Sequence, residues 1–133
     1  MAIPDYLVIG HITKDLITEG FTIGGTAMYA AITAHRLGQR VAIVTSAEAD
    51  LILPPIFDGI HVVRTPSPAT TTFRNIYTNG VRQQYVSALA DPIRPQAIPV
   101  EWRQIPLVHL GPLVGEIDES LVHPVSYTHL RAH

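Results

Sequence analysis

Apolar residues along the chain fall into short unbroken runs. Tyr6-Leu7-Val8-Ile9-Gly10 and Val41-Ala42-Ile43-Val44-Thr45 are continuous and rich in β-branched residues. That is the pattern of strands buried on both faces of a parallel sheet. Between them, Ala27 to about Leu37 reads as a helix, with Thr26 placed to cap its start and Gly38 to stop it. Strand, helix, strand in this order predicts a right-handed crossover onto a parallel sheet. Ile60 to Arg64 and Leu107 to Leu110 predict two further strands, the second ended by Gly111-Pro112. Asp91 to Pro106 holds Pro92, Pro95, Pro99 and Pro106, and reads as a loop with one turn of helix near Glu101-Trp102-Arg103.

The pattern changes from Thr70 to Val86. Asn79-Gly80 stands between two β-rich runs, and both residue types tolerate the positive φ of a two-residue hairpin turn. Pairing across that turn sets Phe73, Asn75, Tyr77, Arg82, Gln84 and Val86 on one face. Arg74, Ile76, Thr78, Val81, Gln83 and Tyr85 take the other. Neither face is cleanly apolar, so the hairpin reads either as an exposed edge or as a flap that meets water or a ligand.

Composition narrows the class. The chain has 133 residues, 47% of them hydrophobic, which suits one globular domain with a modest core. The net charge is −2 and the arginines are scattered, so there is no electrostatic footprint for nucleic acid or a membrane surface. There is no cysteine, which excludes disulfides and thiolate metal sites. The N-terminus lacks the basic region of a signal peptide, and no apolar run reaches the roughly 18 residues of a membrane span. A cytoplasmic protein is the expectation.

Three chemistries are open to these residues. Phosphate-loop motifs are absent: only Gly10 follows the first strand, and neither G-x-G-x-x-G nor G-x-x-x-x-G-K-[ST] occurs. The seven histidines lack metal-ligand spacing apart from His129 and His133, which have no third ligand nearby, so no metal site is expected. Asp15, just beyond the first strand, and Gly24-Gly25, at the start of the helix, make a third pattern. A carboxylate that accepts from hydroxyls, beside bare backbone donors, suits a sugar or polyol. A solvated loop acid is the other reading of Asp15.

Taken together, the segments "DYLVIGHITKDLI", "GGTAMYAAITAHRLG", "VAIVTSAEAD", the hairpin and "LVHLGPL" resemble the N-terminal half of a PfkB-type, or ribokinase-like, carbohydrate kinase. The spacing from Gly24-Gly25 to Gly38 is similar to that family's first signature. The resemblance runs from about Asp5 to Asp118, and the form Gly-Gly-Thr-x-x-Tyr-Ala-Ala marks a particular branch. It implies an α/β, doubly wound, mostly parallel ribokinase fold, truncated, with a small β lid. Residues 1–124 would form the N-terminal part of that domain, with lid pieces at about 16–24 and 70–88.

The resemblance also implies site roles. Asp15 matches the acid that binds substrate hydroxyls, and Gly24 and Gly25 match the glycine pair lining the substrate site. Thr13, Thr26 and Tyr29 are lesser candidates. Tyr29 departs from the usual Asn at its position, and Thr13 stands where Asn is frequent, which implies a substrate other than ribose. The family's second signature, D-T-x-G-A-G-D, is absent, and with it the catalytic aspartate and the ATP site. The expected parent is an ATP- and Mg²⁺-dependent kinase of a sugar, polyol or nucleoside, and this chain alone is expected to be inactive, with no catalytic residue. A non-catalytic sugar-binding or interaction module of the same half-fold is the alternative. Val125 to His133 leaves the family pattern and resembles translated sequencing-adaptor read-through, which implies a non-native tail. A half sheet is expected to leave an apolar edge and one uncovered face, and so to favour homo-oligomers.

Overall fold

The computed structural model describes residues 3–117 and the strand His129–Ala132. Asp118, His123, His133 and residues 125–128 of the expected tail lie outside the described residues. Two sheets are present. The first is all parallel and is built from β1 (Tyr6–Ile9), β4 (Val41–Ala47), β5 (His61–Pro66), β8 (Leu107–Leu110) and β9 (His129–Ala132), in the order β5-β4-β1-β8-β9. The second holds β2 (Thr13–Ile17), β3 (Gly20–Gly24), β6 (Thr72–Thr78) and β7 (Val81–Ala88), in the order β3-β2-β6-β7. Here β2–β3 and β6–β7 are antiparallel and β2–β6 is parallel.

The apolar runs form the strands they predict. Leu7, Val8, Ile9, Ala42, Ile43 and Val44 are fully buried, as two-faced burial requires. One face of the parallel sheet is covered by α1 (Thr26–Arg36), which lays Ala27, Met28, Ala31, Ile32 and Ala34 against Val8, Ile43 and Ile60. The small residues bring the helix close: a Cβ at Gly10 would stand 3.3 Å from that of Ala27 and 2.6 Å from the Gly111 carbonyl oxygen.

The opposite face is also covered, contrary to the expectation of one uncovered face. The proline-rich stretch makes two short 3₁₀ turns, Pro95–Ala97 and Val100–Trp102, and its Ile93, Ile98, Trp102 and Ile105 pack on Leu7, Ile9, Val44 and Leu110. Proline fixes the turns and isoleucine fills the sheet face, so an irregular segment does the work of a helix.

A second correction concerns the helix start. Thr26 is the first helical residue, not the cap, and no side chain caps the helix. Gly25 occupies the cap position at φ 100°, a conformation that penalises any residue with a Cβ. Gly38 (φ 90°) ends the helix region, its N–H donating to the His35 carbonyl. The hairpin turns at Asn79 (φ 51°) and Gly80 (φ 77°) with Tyr77 opposite Arg82 and Asn75 opposite Gln84.

Buried polar groups fasten the small sheet to the large one. Fully buried His11 follows β1. Its Nε2 donates to the Asp91 carbonyl at 2.9 Å, and its Nδ1 accepts from the Thr71 hydroxyl at 2.7 Å. The same hydroxyl oxygen accepts from the Ala90 N–H. One imidazole thus holds both roots of the β6–β7 hairpin. Glu116, also buried, accepts from the N–H groups of His11, Leu113 and Val114, tying the loop after β8 to the same point. On the far side, Lys14 Nζ of β2 donates to Glu48 Oε1 at 2.9 Å, while Glu48 and Thr70 exchange backbone-to-side-chain bonds.

Burial pushes the Glu116 carboxyl up, but the N–H groups of Val114, His11, Glu116 itself and Leu113 outweigh it and hold the group below its ordinary 4.5. The Lys14 ammonium does the same for Glu48, against partial desolvation and with help from Thr70. Carboxylates held low in the folded state stabilise it above their unfolded pKa, and that stability is lost as pH falls through the folded value. The urea midpoint should therefore drop between about pH 5 and pH 3. Glu116→Ala, which leaves three backbone donors unpaired, should cost about 1–3 kcal/mol near neutral pH and flatten that acid limb. A midpoint independent of pH over this range would contradict the role of these two acids. Trp102→Ala should cost about 3–5 kcal/mol in the same titration, because the ring fills the second sheet face; a loss under 1 kcal/mol, roughly a surface effect, would show that face to be loosely covered.

Candidate functional site

In the parallel sheet the chain moves from β1 to β4 on one side, while β8 pairs with β1 on the other. The carboxyl ends of β1 and β8 therefore form the crevice at which open α/β sheets place their ligands. Gly10 and Gly111 end these two strands, with the Gly111 N–H donating to the Ile9 carbonyl at 2.9 Å. The small sheet rises from this edge, and the N-terminus of α1 opens on to it: a Cβ at Gly111 would stand 3.4 Å from Thr26 Cγ2 and 3.6 Å from the Ala27 nitrogen.

The structure brings four of the expected residues together. Asp15 sits on β2, half-buried, paired with Thr22 of β3 and Phe73 of β6. The Thr13 hydroxyl donates to Asp15 Oδ1 at 3.0 Å. Gly24 lies across from Thr13, and a Cβ there would collide with Asp15 Oδ2. A Cβ on Gly25 would stand 2.8 Å from the His11 carbonyl oxygen and 3.3 Å from Thr13 Cγ2. Both glycines are thus required by close approach, and Gly25 by its φ as well. The carboxylate, a hydroxyl and bare backbone share one small volume at the mouth of the crevice. Such a set can accept and donate hydrogen bonds to a polyhydroxy ligand.

Thr26 borders the crevice at Gly111 without joining this cluster, and Tyr29 stands apart from it. Thr26 and Tyr29 line a separate groove of about 410 Å³ along α1, with Tyr6, Ala30, Leu37 and His109. Tyr29 is 61% exposed there, and the Tyr6 hydroxyl lies 2.8 Å from His109 Nδ1. No hydrogen bond joins Tyr29 to Asp15 among the described residues. Sequence reasoning missed His11, Thr71 and Glu116, which hold the floor and the hairpin roots in register. His11 and Glu116 are separated by 105 positions, so no local spacing reveals them. No helix among the described residues is long and apolar enough to cross a membrane.

No protein-family model matches the chain, and no curated protein matches it. Solved structures do. A pyrophosphate-dependent kinase in the ribokinase family, complexed with a pyrophosphate analogue and myo-inositol, is 29% identical with a TM-score of 0.71; the match covers 88% of this chain and 44% of that one. A sulfate complex of a pyrophosphate-dependent kinase in the ribokinase family is 28% identical with a TM-score of 0.75, covering 96% of this chain and 49% of that one. The fructokinase of Halothermothrix orenii, 18% identical with a TM-score of 0.57 over 80% of this chain, shares the fold. The chain spans less than half the length of each of these enzymes. With its parallel sheet, its second small sheet and its glycine-lined crevice, the chain carries the ribokinase-like fold of the PfkB carbohydrate kinases, over about half their length.

Proposed function

We propose that this chain is the acceptor-binding half of a kinase that phosphorylates a hydroxyl of a sugar, polyol or nucleoside. The observation that carries this reading is the Asp15 carboxylate seated against Gly24 at the carboxyl edge of the parallel sheet. Asp15 accepts hydrogen bonds from acceptor hydroxyls, with Thr13 fixing one of its oxygens. The glycine pair lets the ring approach the backbone. The small sheet forms the lid that covers the acceptor and keeps water from the transferring phosphoryl group. The catalytic base and the donor site belong to sequence beyond this chain, so the 133 residues bind acceptor and do not turn it over.

ATP with Mg²⁺ is the donor that the family resemblance implies. A second reading is favoured by the two neighbours of 28–29% identity, both pyrophosphate-dependent, one of them holding myo-inositol. On that reading the donor is pyrophosphate and the acceptor a cyclitol. Among the described residues no three His, Asp or Glu side chains converge to hold a metal ion.

Calorimetric titration of the chain with myo-inositol, ribose and fructose tests the acceptor role. At least one should bind, and Asp15→Ala should weaken it by about 1–3 kcal/mol, the worth of a charged hydrogen-bond partner. Undiminished binding by that variant would remove Asp15 from the site. Phosphate transfer by the chain alone, from ATP or pyrophosphate, would contradict the half-site assignment.

A further inference from the structure

His11 meets both walls of the crevice, one with its backbone and one with its ring. Its carbonyl oxygen stands 2.8 Å from where a Cβ on Gly25 would lie, so the backbone bounds the glycine wall. Its ring takes the Thr71 hydroxyl on Nδ1 at 2.7 Å. The Thr71 carbonyl in turn accepts from the Lys14 N–H at 2.9 Å. Lys14 immediately precedes Asp15 on β2. The ring thus reaches the Asp15 wall by way of the Thr71 side chain and backbone.

The partners of the ring assign its hydrogen. The Asp91 carbonyl can only accept, so Nε2, 2.9 Å away, carries the proton. The Thr71 oxygen already accepts from the Ala90 N–H at 3.0 Å, which leaves its own hydrogen for Nδ1. Glu116 is the titratable side chain that faces the ring, with Oε2 4.0 Å from Nδ1. That is too far for a hydrogen bond, and the carboxylate is taken up by the N–H groups of His11, Leu113 and Val114. The neutral Nε2–H tautomer therefore pairs both ring nitrogens in a place closed to water.

We infer that His11 is a positioning residue for acceptor binding, its neutral ring fixing Asp15 against the glycine pair through Thr71 and the Lys14 backbone. The inference rests on the acceptor-binding reading above and adds to it a residue that never touches the acceptor. His11 is fully buried, yet it sets how wide the crevice stands. Hydrogen bonds weaken steeply with distance and angle, so a small shift of Asp15 relative to Gly24 and Gly25 loosens a polyol held between them. Through Asp91 the same ring holds the far root of the hairpin, so the crevice and the lid keep one register.

The test sets acceptor affinity beside fold stability in four forms of the 133-residue chain, with ring-nitrogen and amide resonances recorded for each. The ligands are myo-inositol, ribose and fructose, followed by calorimetry. Wild type should show His11 protonated on Nε2 alone. Thr71→Val, which keeps the shape and removes the hydroxyl, should move the Nδ1 resonance more than that of Nε2. It should also shift the amides of Asp15 and Gly25 and weaken binding about tenfold, the order of one buried hydrogen bond lost. His11→Phe, which keeps a ring and loses both bonds, should weaken binding at least as much. His11→Gln, whose amide again offers one acceptor and one donor, should recover most of the affinity. Variants that unfold at lower urea yet bind as wild type does would overturn the inference and leave the role of Asp15 standing. Should His11→Phe fail to fold, Thr71→Val decides by the same criterion. A wild-type ring protonated on Nδ1 also overturns it. If wild type binds none of the three compounds, this inference and the acceptor-binding reading fall together.

Discussion

The close approach of backbone at Gly24 and Gly25 is the constraint on which the rest of the structure depends. Gly25 takes a positive φ that turns the chain from β3 into α1, and its Cα packs against the His11 carbonyl. Gly24 leaves just the room that the Asp15 carboxylate occupies. Side chains at these two positions would push the small sheet off the large one and fill the crevice. The same absence of side chains that permits the packing leaves open space beside the Asp15 carboxylate.

The small sheet is held at its roots and free at its tips. His11, Thr71, Glu116 and the Lys14–Glu48 pair fix where β2 and β6 leave the parallel sheet. Further out, Ile76, Tyr77, Val81 and Tyr85 are exposed on both faces of the hairpin. Fixed roots with an unburied blade suit a lid, which needs a defined pivot and a surface that becomes covered only when something lies beneath it. The sparse pairing of β2 with β6 belongs to the same design: two rungs join the strands, and the wedge beyond them leaves room beside Asp15.

Much of this was legible in the sequence, because local patterns encode it. The unbroken runs at Tyr6 and Val41 formed buried parallel strands, and Asn79-Gly80 formed its turn. Asp15 and the glycine pair, singled out by position and residue type, lie against one another. What was not legible depends on distance along the chain. Glu116 gathers donors from residues 11, 113 and 114, a convergence with no spacing rule. The prolines between Asp91 and Pro106 announced a loop, and nothing local said that its isoleucines and Trp102 would cover a sheet face. Thr26 has the chemistry of a cap, but the turn at Gly25 places it one residue too late to act as one.

The central claim is that the acceptor lies at Asp15 and the glycine pair, within this half of the fold. A crystal structure of the chain grown with myo-inositol tests it most directly. The account predicts the ring at the carboxyl ends of β1 and β8, with a hydroxyl in hydrogen-bond reach of the Asp15 carboxylate and the ring edge over Gly24 and Gly25. A ring seated instead along α1, between Tyr29 and His109, with Asp15 facing solvent, would contradict it.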